Sequence, residues 1–211
     1  MGKIGIKVAG ITVLFLQTTL LAQCGSTSMA ERFNNMAAAE DSQARRVIDA
    51  LELKAGMTVA DLGAGGGFFS YLIAERVGPE GQVLAVDINQ EYLDFIEKEA
   101  TRRKLNQIAV VKARNDGFDA AQASLDMIFT RNVYHHLENR VEYFRTVASL
   151  LKPGGRIAIL DYRNDGNFAD LIGHSTDERI IADEMQKAGF ERVQNLEFLE
   201  KQSFQIFRRS N

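Results

Sequence analysis

The chain has little cysteine, histidine or proline: its 211 residues include one Cys, three His and two Pro. A single cysteine cannot form an intramolecular disulfide, so a disulfide-stabilised scaffold is excluded. A structural zinc site built from several cysteines is excluded for the same reason, and so few prolines exclude a proline-rich linker protein. The hydrophobic fraction of 45% and the charged fraction of 25% are those of a globular protein, and the length suits one domain.

The chain also lacks a surplus of basic residues. Lys and Arg number 25 against 28 Asp and Glu, which gives a net charge of −3. Proteins that bind nucleic acid usually present a basic surface to the phosphate backbone. We therefore expect no nucleic-acid partner, and we expect a monomer or a weak dimer.

The first residues differ in kind from the rest. Lys3 and Lys7 precede an apolar-leaning run over 8–22, and no acidic residue occurs before Cys24. The run is short for a membrane-spanning helix, which needs about 20 apolar residues, whereas its basic start and small residues are typical of an export signal. Residues 21–26, LAQCGS, resemble the lipobox of bacterial lipoproteins, although Gln23 stands where Gly or Ala is usual.

We predict a signal or lipoprotein-type segment over residues 1–24 and one folded domain over 30–211. This segment indicates a location in the cell envelope, as a lipoprotein attached to the membrane or as an exported protein. The alternatives are an ordinary cleaved signal, a retained anchor and a mistaken start codon. With an anchor, the domain could lie on the cytoplasmic face.

Apolar runs and helical patterns alternate along the rest of the chain. A helix is predicted over 30–51, and then strands over 58–62, 82–87, 108–113, 125–130 and 156–161 with helices between them. This alternation is typical of βαβ units and of a parallel sheet with helices on both faces. Two further strand-like runs, 192–199 and 203–208, are too close for a parallel crossover and must pair antiparallel. We predict a doubly wound α/β fold with a mostly parallel seven-stranded sheet and an antiparallel C-terminal strand.

A glycine-rich loop follows the first predicted strand. The residues read DLGAGGG over 61–67, and Asp87 ends the second predicted strand. Open parallel sheets bind ligands at the carboxyl ends of their strands, and an acid in the position of Asp87 can accept the hydroxyls of a ribose.

Three classes of ligand could use such a loop. A phosphate-binding P-loop ends in Gly-Lys-Ser/Thr, which is absent here, and a dinucleotide loop would place the bulky Phe68 where a small residue is required. The third pattern, Asp-x-Gly-x-Gly-x-Gly, fits 61–67 at each constrained position. Asp61 would repel a pyrophosphate and attract an ammonium group. The loop therefore favours a ligand with an α-amino group and no phosphates.

Together with this loop, three further stretches resemble class I S-adenosylmethionine-dependent methyltransferases: VLAVDINQEYL (83–93), LDMIFTRNVYHHL (125–137) and LKPGGRIAILDYR (151–163). The resemblance runs from about residue 30 to the C-terminus. Within the superfamily, VYHHL is similar to the small-molecule methyltransferases related to quinone-biosynthesis enzymes. The resemblance implies S-adenosylmethionine as cofactor and a small-molecule or lipid-like acceptor.

The resemblance also implies which residues bind the cofactor. The methionine part would be held by Asp61, Gly63, Ala64, Gly65 and Gly67. Asp87 would hold the ribose, Ile88 would lie against the adenine face, and Asn115 or Asp116 would meet the adenine amine. Arg131, at the end of the fourth predicted strand, is also predicted to contact the cofactor. The alternative is that it binds an anionic substrate.

Polar side chains at the ends of the fourth and fifth predicted strands are the candidates for chemistry on the acceptor: Arg131, Asn132, Tyr134, His135, His136, Asp161 and Arg163. If the adjacent histidines begin a helix, they point about 100° apart, so at most one faces the cleft squarely, and we favour His135. We predict His135, Tyr134 and His174 as catalytic residues, with proton transfer needed only where the acceptor arrives protonated. We predict no metal site and no covalent intermediate.

The sequence thus predicts an enzyme that moves a methyl group by in-line displacement, a reaction in which the protein mainly aligns the nucleophile with the methyl. Two alternatives stay open. A nicotinamide-dependent oxidoreductase would use Asp87 as its ribose acid and would have to tolerate Phe68. A non-catalytic envelope protein would keep the same fold as a binding module.

Overall fold

The computed structural model describes residues 27–164 and 174–210. The strands are β1 (Thr58–Leu62), β2 (Gln82–Asp87), β3 (Ile108–Arg114), β4 (Gly117–Phe118), β5 (Leu125–Arg131), β6 (Leu151–Tyr162), β7 (Phe190–Leu196) and β8 (Gln202–Arg209). The α-helices are α1 (Met29–Ala38), α2 (Ala44–Ala50), α3 (Phe68–Val77), α4 (Gln90–Arg103), α5 (Arg140–Ala148) and α6 (Glu178–Lys187). Short 3-10 helices cover Glu40–Ser42 and Tyr134–His136.

The strands form one sheet in the order β4-β3-β2-β1-β5-β6-β8-β7. Strands β3, β2, β1, β5 and β6 are parallel, and β8 runs antiparallel to both β6 and β7. The predicted doubly wound fold and the antiparallel C-terminal strand are confirmed. The strand count differs, because β4 adds an eighth strand of two residues that pairs antiparallel with β3. A strand so short has no periodicity that a sequence could reveal.

Helices cover both faces of the sheet, as the unbroken apolar strands require. Alternate residues of β1 show this directly: Ala60 and Leu62 belong to the apolar cluster beneath α5 and α6, and Val59 belongs to the cluster beneath α2 and α3. In β6, Ile159 belongs to the first of these clusters and Leu160 to the second, on the opposite face of the sheet.

The single helix predicted over 30–51 is broken in two. The hydroxyl of Ser42 donates to the carbonyl oxygen of Ala37 at 2.6 Å, and Gln43 has a left-handed backbone with φ of 45°. Short polar side chains compete in this way with the helical hydrogen bonds of the backbone. Because of this break, α1 is not a continuation of α2 and packs over the glycine-rich loop.

The predicted signal or lipoprotein-type segment, 1–24 with Cys24, lies outside the described residues. Within residues 27–164 and 174–210, every helix is too short or too polar to span a bilayer.

The chain reverses direction across the sheet at β1, since β2 lies on one side of it and β5 on the other. In open α/β sheets this switch point opens a crevice at the carboxyl ends of the strands. The glycine-rich loop and the segment after β5 both begin at this edge.

Candidate active site

A cavity of about 680 Å³ lies at the carboxyl edge of β1, β2, β3, β5 and β6. It is lined by the end of β1 and the glycine-rich loop, by the residues after the other strands, and by one face of α1. Of the residues predicted to bind the cofactor, the lining includes Asp61, Gly63, Ala64, Gly65, Asp87, Ile88, Asn115 and Arg131. Gly67 lies behind the cavity, where its left-handed backbone starts α3.

Asp87 ties the end of β2 to the glycine-rich loop. One carboxylate oxygen, Oδ2, accepts from the backbone N–H of Gly65 at 2.9 Å, and Oδ1 accepts from the N–H of Asn89 at 2.8 Å. Burial raises the pKa of Asp87, and these backbone hydrogen bonds oppose the rise by favouring the charged form. Each oxygen keeps a lone pair, so the carboxylate can still accept from a hydroxyl in the cavity.

Asp61 is almost fully buried, and its Oδ2 accepts from the hydroxyl of Ser70 at 2.5 Å. Burial raises its pKa to about 7, and the negative charge of Asp87 acts in the same direction. The Ser70 hydrogen bond and the charge of Arg131 oppose the rise. A buried carboxyl of this kind is poised to ionise when a cation binds beside it.

The sequence left two candidates, Asn115 and Asp116, for the contact with the adenine amine, and the structure distinguishes between them. Asn115 lines the cavity, whereas Asp116 lies outside the lining, and its exposed carboxylate accepts from Arg114 at 3.4 Å. The structure therefore does not support Asp116 as an adenine contact, because its side chain turns to solvent. Ile88 is 59% exposed at the cavity wall, as an apolar platform for a ring would be.

Asn34 of α1 is a site residue that sequence reasoning missed. Its Nδ2 donates to the carbonyl oxygen of Gly66 at 2.8 Å, and its Oδ1 accepts from the N–H of Phe68 at 3.0 Å. A Cβ on Gly66 would overlap Asn34 and the carbonyl oxygen of Ala30, so only glycine lets the two segments approach this closely. Asn34 thus caps α3 from another helix, a role that no local pattern could reveal.

We expect Asn34→Ala to lower the stability of the protein by about 1 kcal/mol, the usual cost of losing a helix cap. For a chain of this size that corresponds to a fall of roughly 2–4 °C in the melting temperature. The affinity for S-adenosylhomocysteine should fall as well, because the loop loses its support. Differential scanning calorimetry and isothermal titration measure both quantities. The exposed Asn35 on the same helix supplies the control, and Asn35→Ala should change neither quantity.

The far end of the cavity carries the histidines. Nδ1 of His135 lies 2.7 Å from Oδ1 of Asp161, which is fully buried at the end of β6. His135, His136 and His174 all line the cavity, with ring centroids 4.0 to 5.5 Å apart. His135 and His136 both lie in the short 3-10 helix after β5, where the side chain of His135 is buried and that of His136 is exposed.

Two residues that were predicted to lie near the methyl acceptor form hydrogen bonds outside the cavity instead. Tyr134 is fully buried against Phe144, and its hydroxyl donates to Glu184 at 2.7 Å outside the cavity lining. The predicted catalytic role of Tyr134 is therefore not supported, since core packing holds the ring away from the cavity. Arg163 donates to Glu178 at 2.9 Å and is likewise outside the lining.

Arg131 stands between the two ends of the cavity. Its guanidinium lies 5.4 Å from the ring centre of Phe69, and its Nε is buried without a hydrogen-bond partner among the described residues. Burial lowers its pKa. An unpaired buried donor is costly, so this side chain is suited to an anionic group in the cavity.

Comparison with known proteins agrees with this geometry. A family described as a methyltransferase domain matches residues 53–205. The chain is 28% identical over 151 residues to an arsenite methyltransferase from Halobacterium salinarum, covering 66% of this chain and 38% of that protein. It is 29% identical over 119 residues to a ubiquinone/menaquinone biosynthesis C-methyltransferase from Idiomarina loihiensis, covering 56% of this chain and 47% of that protein. The chain thus spans less than half the length of these two relatives.

The fold has a solved counterpart. A SAM-dependent methyltransferase from Aquifex aeolicus superposes with a TM-score of 0.77 at 22% identity, covering 86% of this chain and 97% of that one. Neither the nicotinamide-dependent oxidoreductase nor the non-catalytic binding module finds support in these comparisons. The family match over residues 53–205 covers most of the chain. It includes the glycine-rich loop, Asp61 and Asp87. This chain belongs to the class I S-adenosylmethionine-dependent methyltransferases.

Proposed function

We propose that this protein transfers a methyl group from S-adenosylmethionine to a small, largely apolar acceptor. The observation that carries the proposal is the convergence of Asp61, Asp87 and the glycine-rich loop on one cavity. Asp61 presents a buried acid for an ammonium group and Asp87 a second acid for ribose hydroxyls, and the neighbouring Ile88 presents an exposed apolar side chain for an adenine ring. When bound, the cofactor supplies an electrophilic methyl group on a sulfonium.

The proposed placement of the cofactor follows from the charges along the cavity. Asp61 would face the α-ammonium group, and the unpaired Nε of Arg131 would face the α-carboxylate. Asp87 would accept the ribose hydroxyls, while Ile88 and Asn115 would contact the adenine. This arrangement satisfies the buried donor of Arg131 and pairs the charge of Asp61, two costs that the ligand-free protein bears.

The acceptor would occupy the histidine end of the cavity, against Tyr162 and Leu137. The apolar lining of this cavity suits a small apolar molecule that carries a hydroxyl or another nucleophilic heteroatom. One relative is named for arsenite and another for quinone biosynthesis, so small-molecule acceptors occur among similar proteins. We propose His135 and His174 as the residues that act on the acceptor, with Asp161 as a positioning residue for the ring of His135.

Titration of the full-length protein with S-adenosylhomocysteine tests the proposal. We expect one binding site per chain with saturable heat, and we expect NADH to give no signal under the same conditions. A flat calorimetric titration with S-adenosylhomocysteine would overturn the assignment. Methyl transfer itself is followed with radiolabelled cofactor and a panel of phenolic and quinol-like acceptors.

We also propose that residues 1–24 direct the protein to the cell envelope and that the chain is lipidated at Cys24. The basic start, the short apolar run and the LAQCGS stretch support this proposal. Mass spectrometry of the mature protein after cell fractionation tests it. A diacylated N-terminal cysteine in the membrane fraction is the expected result, whereas an intact Met1 would contradict processing.

A further inference from the structure

The three histidines of the sequence meet at one place. His135 and His136 follow β5, and His174 follows β6, yet one ring nitrogen of each lies within 4.8 Å of the other two. His135 and His136 are neighbours in the chain, so the tertiary contact is that of His174 with this pair. The sequence predicted no metal site. In the chain, 37 residues separate His136 from His174, and the pairing of β5 with β6 brings the segments that carry them to the same edge of the sheet.

The ring of His135 is held by a carboxylate, as the rings of metal-binding histidines usually are. Its Nδ1 is engaged with the carboxylate of Asp161 at 2.7 Å, which leaves Nε2 as the nitrogen with a free lone pair. Histidines that bind metals almost always donate their other ring N–H to a carboxylate or a carbonyl, which fixes the ring and raises its basicity. Asp161 is fully buried, and its Oδ2 has no hydrogen-bond partner in the described part of the chain.

The spacing suits a tetrahedral ion after a small adjustment. Zinc binds histidine nitrogen at about 2.0–2.1 Å, so ligand nitrogens of a tetrahedral site lie about 3.4 Å apart. Nitrogens that lie within 4.8 Å of one another therefore need to move by at most about 1 Å toward a common centre. His136 and His174 are exposed and can make this adjustment by side-chain rotation, whereas His135 is held by Asp161.

We propose that His135, His136 and His174 bind one divalent late transition-metal ion, of which Zn²⁺ is the representative. Three imidazoles favour zinc and its neighbours in the first transition row over Mg²⁺ or Ca²⁺, which prefer oxygen ligands. Three protein ligands leave a coordination position open, as in catalytic rather than structural sites. Because the three histidines line the cavity, an ion held there would polarise an oxygen or nitrogen atom of the acceptor. This inference rests on the proposed function, since the site lies at the acceptor end of the same cavity.

Metal binding is tested directly on the full-length protein. The protein is stripped with a chelator, loaded with Zn²⁺, passed through gel filtration in metal-free buffer and analysed for zinc by atomic emission. Retention of one zinc per chain is the expected result. Loading with Co²⁺ gives a second readout, because a tetrahedral nitrogen site produces an intense visible absorption that an octahedral aqueous ion lacks.

The variants separate this site from adventitious binding. His136→Ala and His174→Ala remove exposed ligands and should abolish zinc retention without unfolding the protein. Asp161→Asn should weaken zinc binding by about 10–100-fold, the usual effect of removing the hydrogen-bond partner of a metal-binding histidine. Glu80→Gln is the matched control, because Glu80 is an exposed acid in the turn before β2, at the opposite edge of the sheet. Its zinc retention should equal that of the parent.

Two results would overturn the inference: zinc that is lost on gel filtration, or zinc that the His136→Ala and His174→Ala variants retain as well as the parent. The same samples are titrated with S-adenosylhomocysteine. If the parent binds S-adenosylhomocysteine but not zinc, the metal site alone is wrong. If it binds zinc but not S-adenosylhomocysteine, the proposed function is wrong while the metal site stands.

Discussion

Replacement of Asp87 by alanine is expected to lower the affinity for S-adenosylhomocysteine by at least roughly 100-fold. Hydrogen bonds to a charged group contribute about 1.5–3 kcal/mol each, and a ribose presents two hydroxyls to this carboxylate. Each 1.4 kcal/mol corresponds to about a tenfold change in the dissociation constant. The variant also releases the N–H of Gly65, which Asp87 now holds at 2.9 Å, so the glycine-rich loop loses an anchor. Isothermal titration calorimetry measures the affinity.

The control for this variant is Asp94→Ala, which removes an exposed carboxylate on α4, outside the cavity lining. It should bind S-adenosylhomocysteine as the parent does. Thermal unfolding of Asp87→Ala and of the closer isostere Asp87→Asn separates a loss of binding from a loss of folding. Unchanged affinity in a folded Asp87→Ala protein would remove this residue from the cofactor site.

The affinity for S-adenosylhomocysteine should rise with pH up to about 7 and then level off. The buried Asp61 has a pKa of about 7, and only its charged form attracts the ammonium group of the ligand. Below that pH, binding must release a proton, so affinity falls by up to about tenfold per pH unit. Titrations in buffers of different ionisation enthalpy measure the released proton.

Two variants test whether the titration of Asp61 causes this pH dependence of the affinity. Asp61→Asn should bind S-adenosylhomocysteine weakly, and its affinity should be independent of pH across this window. Ser70→Ala removes a hydrogen bond that lowers the pKa of Asp61, so the midpoint of the pH profile should move upward. A pH profile in Asp61→Asn that matches the parent would assign the titration to another group.

The stability of the ligand-free protein should show the opposite trend. The unfolded chain loses the proton of Asp61 near its ordinary pKa of 3.8, whereas the folded chain keeps it until about pH 7. The contribution of Asp61 to the free energy of unfolding therefore falls as pH rises through this window and is constant above it. The difference in pKa amounts to about 4 kcal/mol. Asp61→Asn should then be more stable than the parent at pH 8 by up to this amount, measured by urea unfolding without ligand.

Some parts of this architecture could be predicted closely from the chain alone. The bounds of β1 and β2 agree with the predicted ones, because glycines or a turn delimit each of these short apolar-rich segments. The acids at the ends of β1 and β2 were predicted to share a ligand, and both line the cavity. Local backbone preference and the geometry of parallel strands sufficed in these cases.

Other parts depended on contacts between distant segments. The role of Asn34 requires α1 to cross the glycine-rich loop, and the core position of Tyr134 depends on Glu184 and Phe144. Asn115 and Asp116 are neighbours in the chain, and only the course of the backbone after β3 places one of them at the cavity and the other in solvent.

The amino-acid sequence by itself determined the alternation of the main strands and helices, the reversal of the last strand and the acid-and-glycine chemistry of the cofactor loop. These features arise from residues close together in the chain, where periodicity and turn preferences act directly. The tertiary structure alone decided that His135, His136 and His174 meet beside Asp161, and that a side chain of the first helix caps the third. Such contacts depend on how packed layers bring remote segments within hydrogen-bond distance, and nothing in the local sequence encodes that distance.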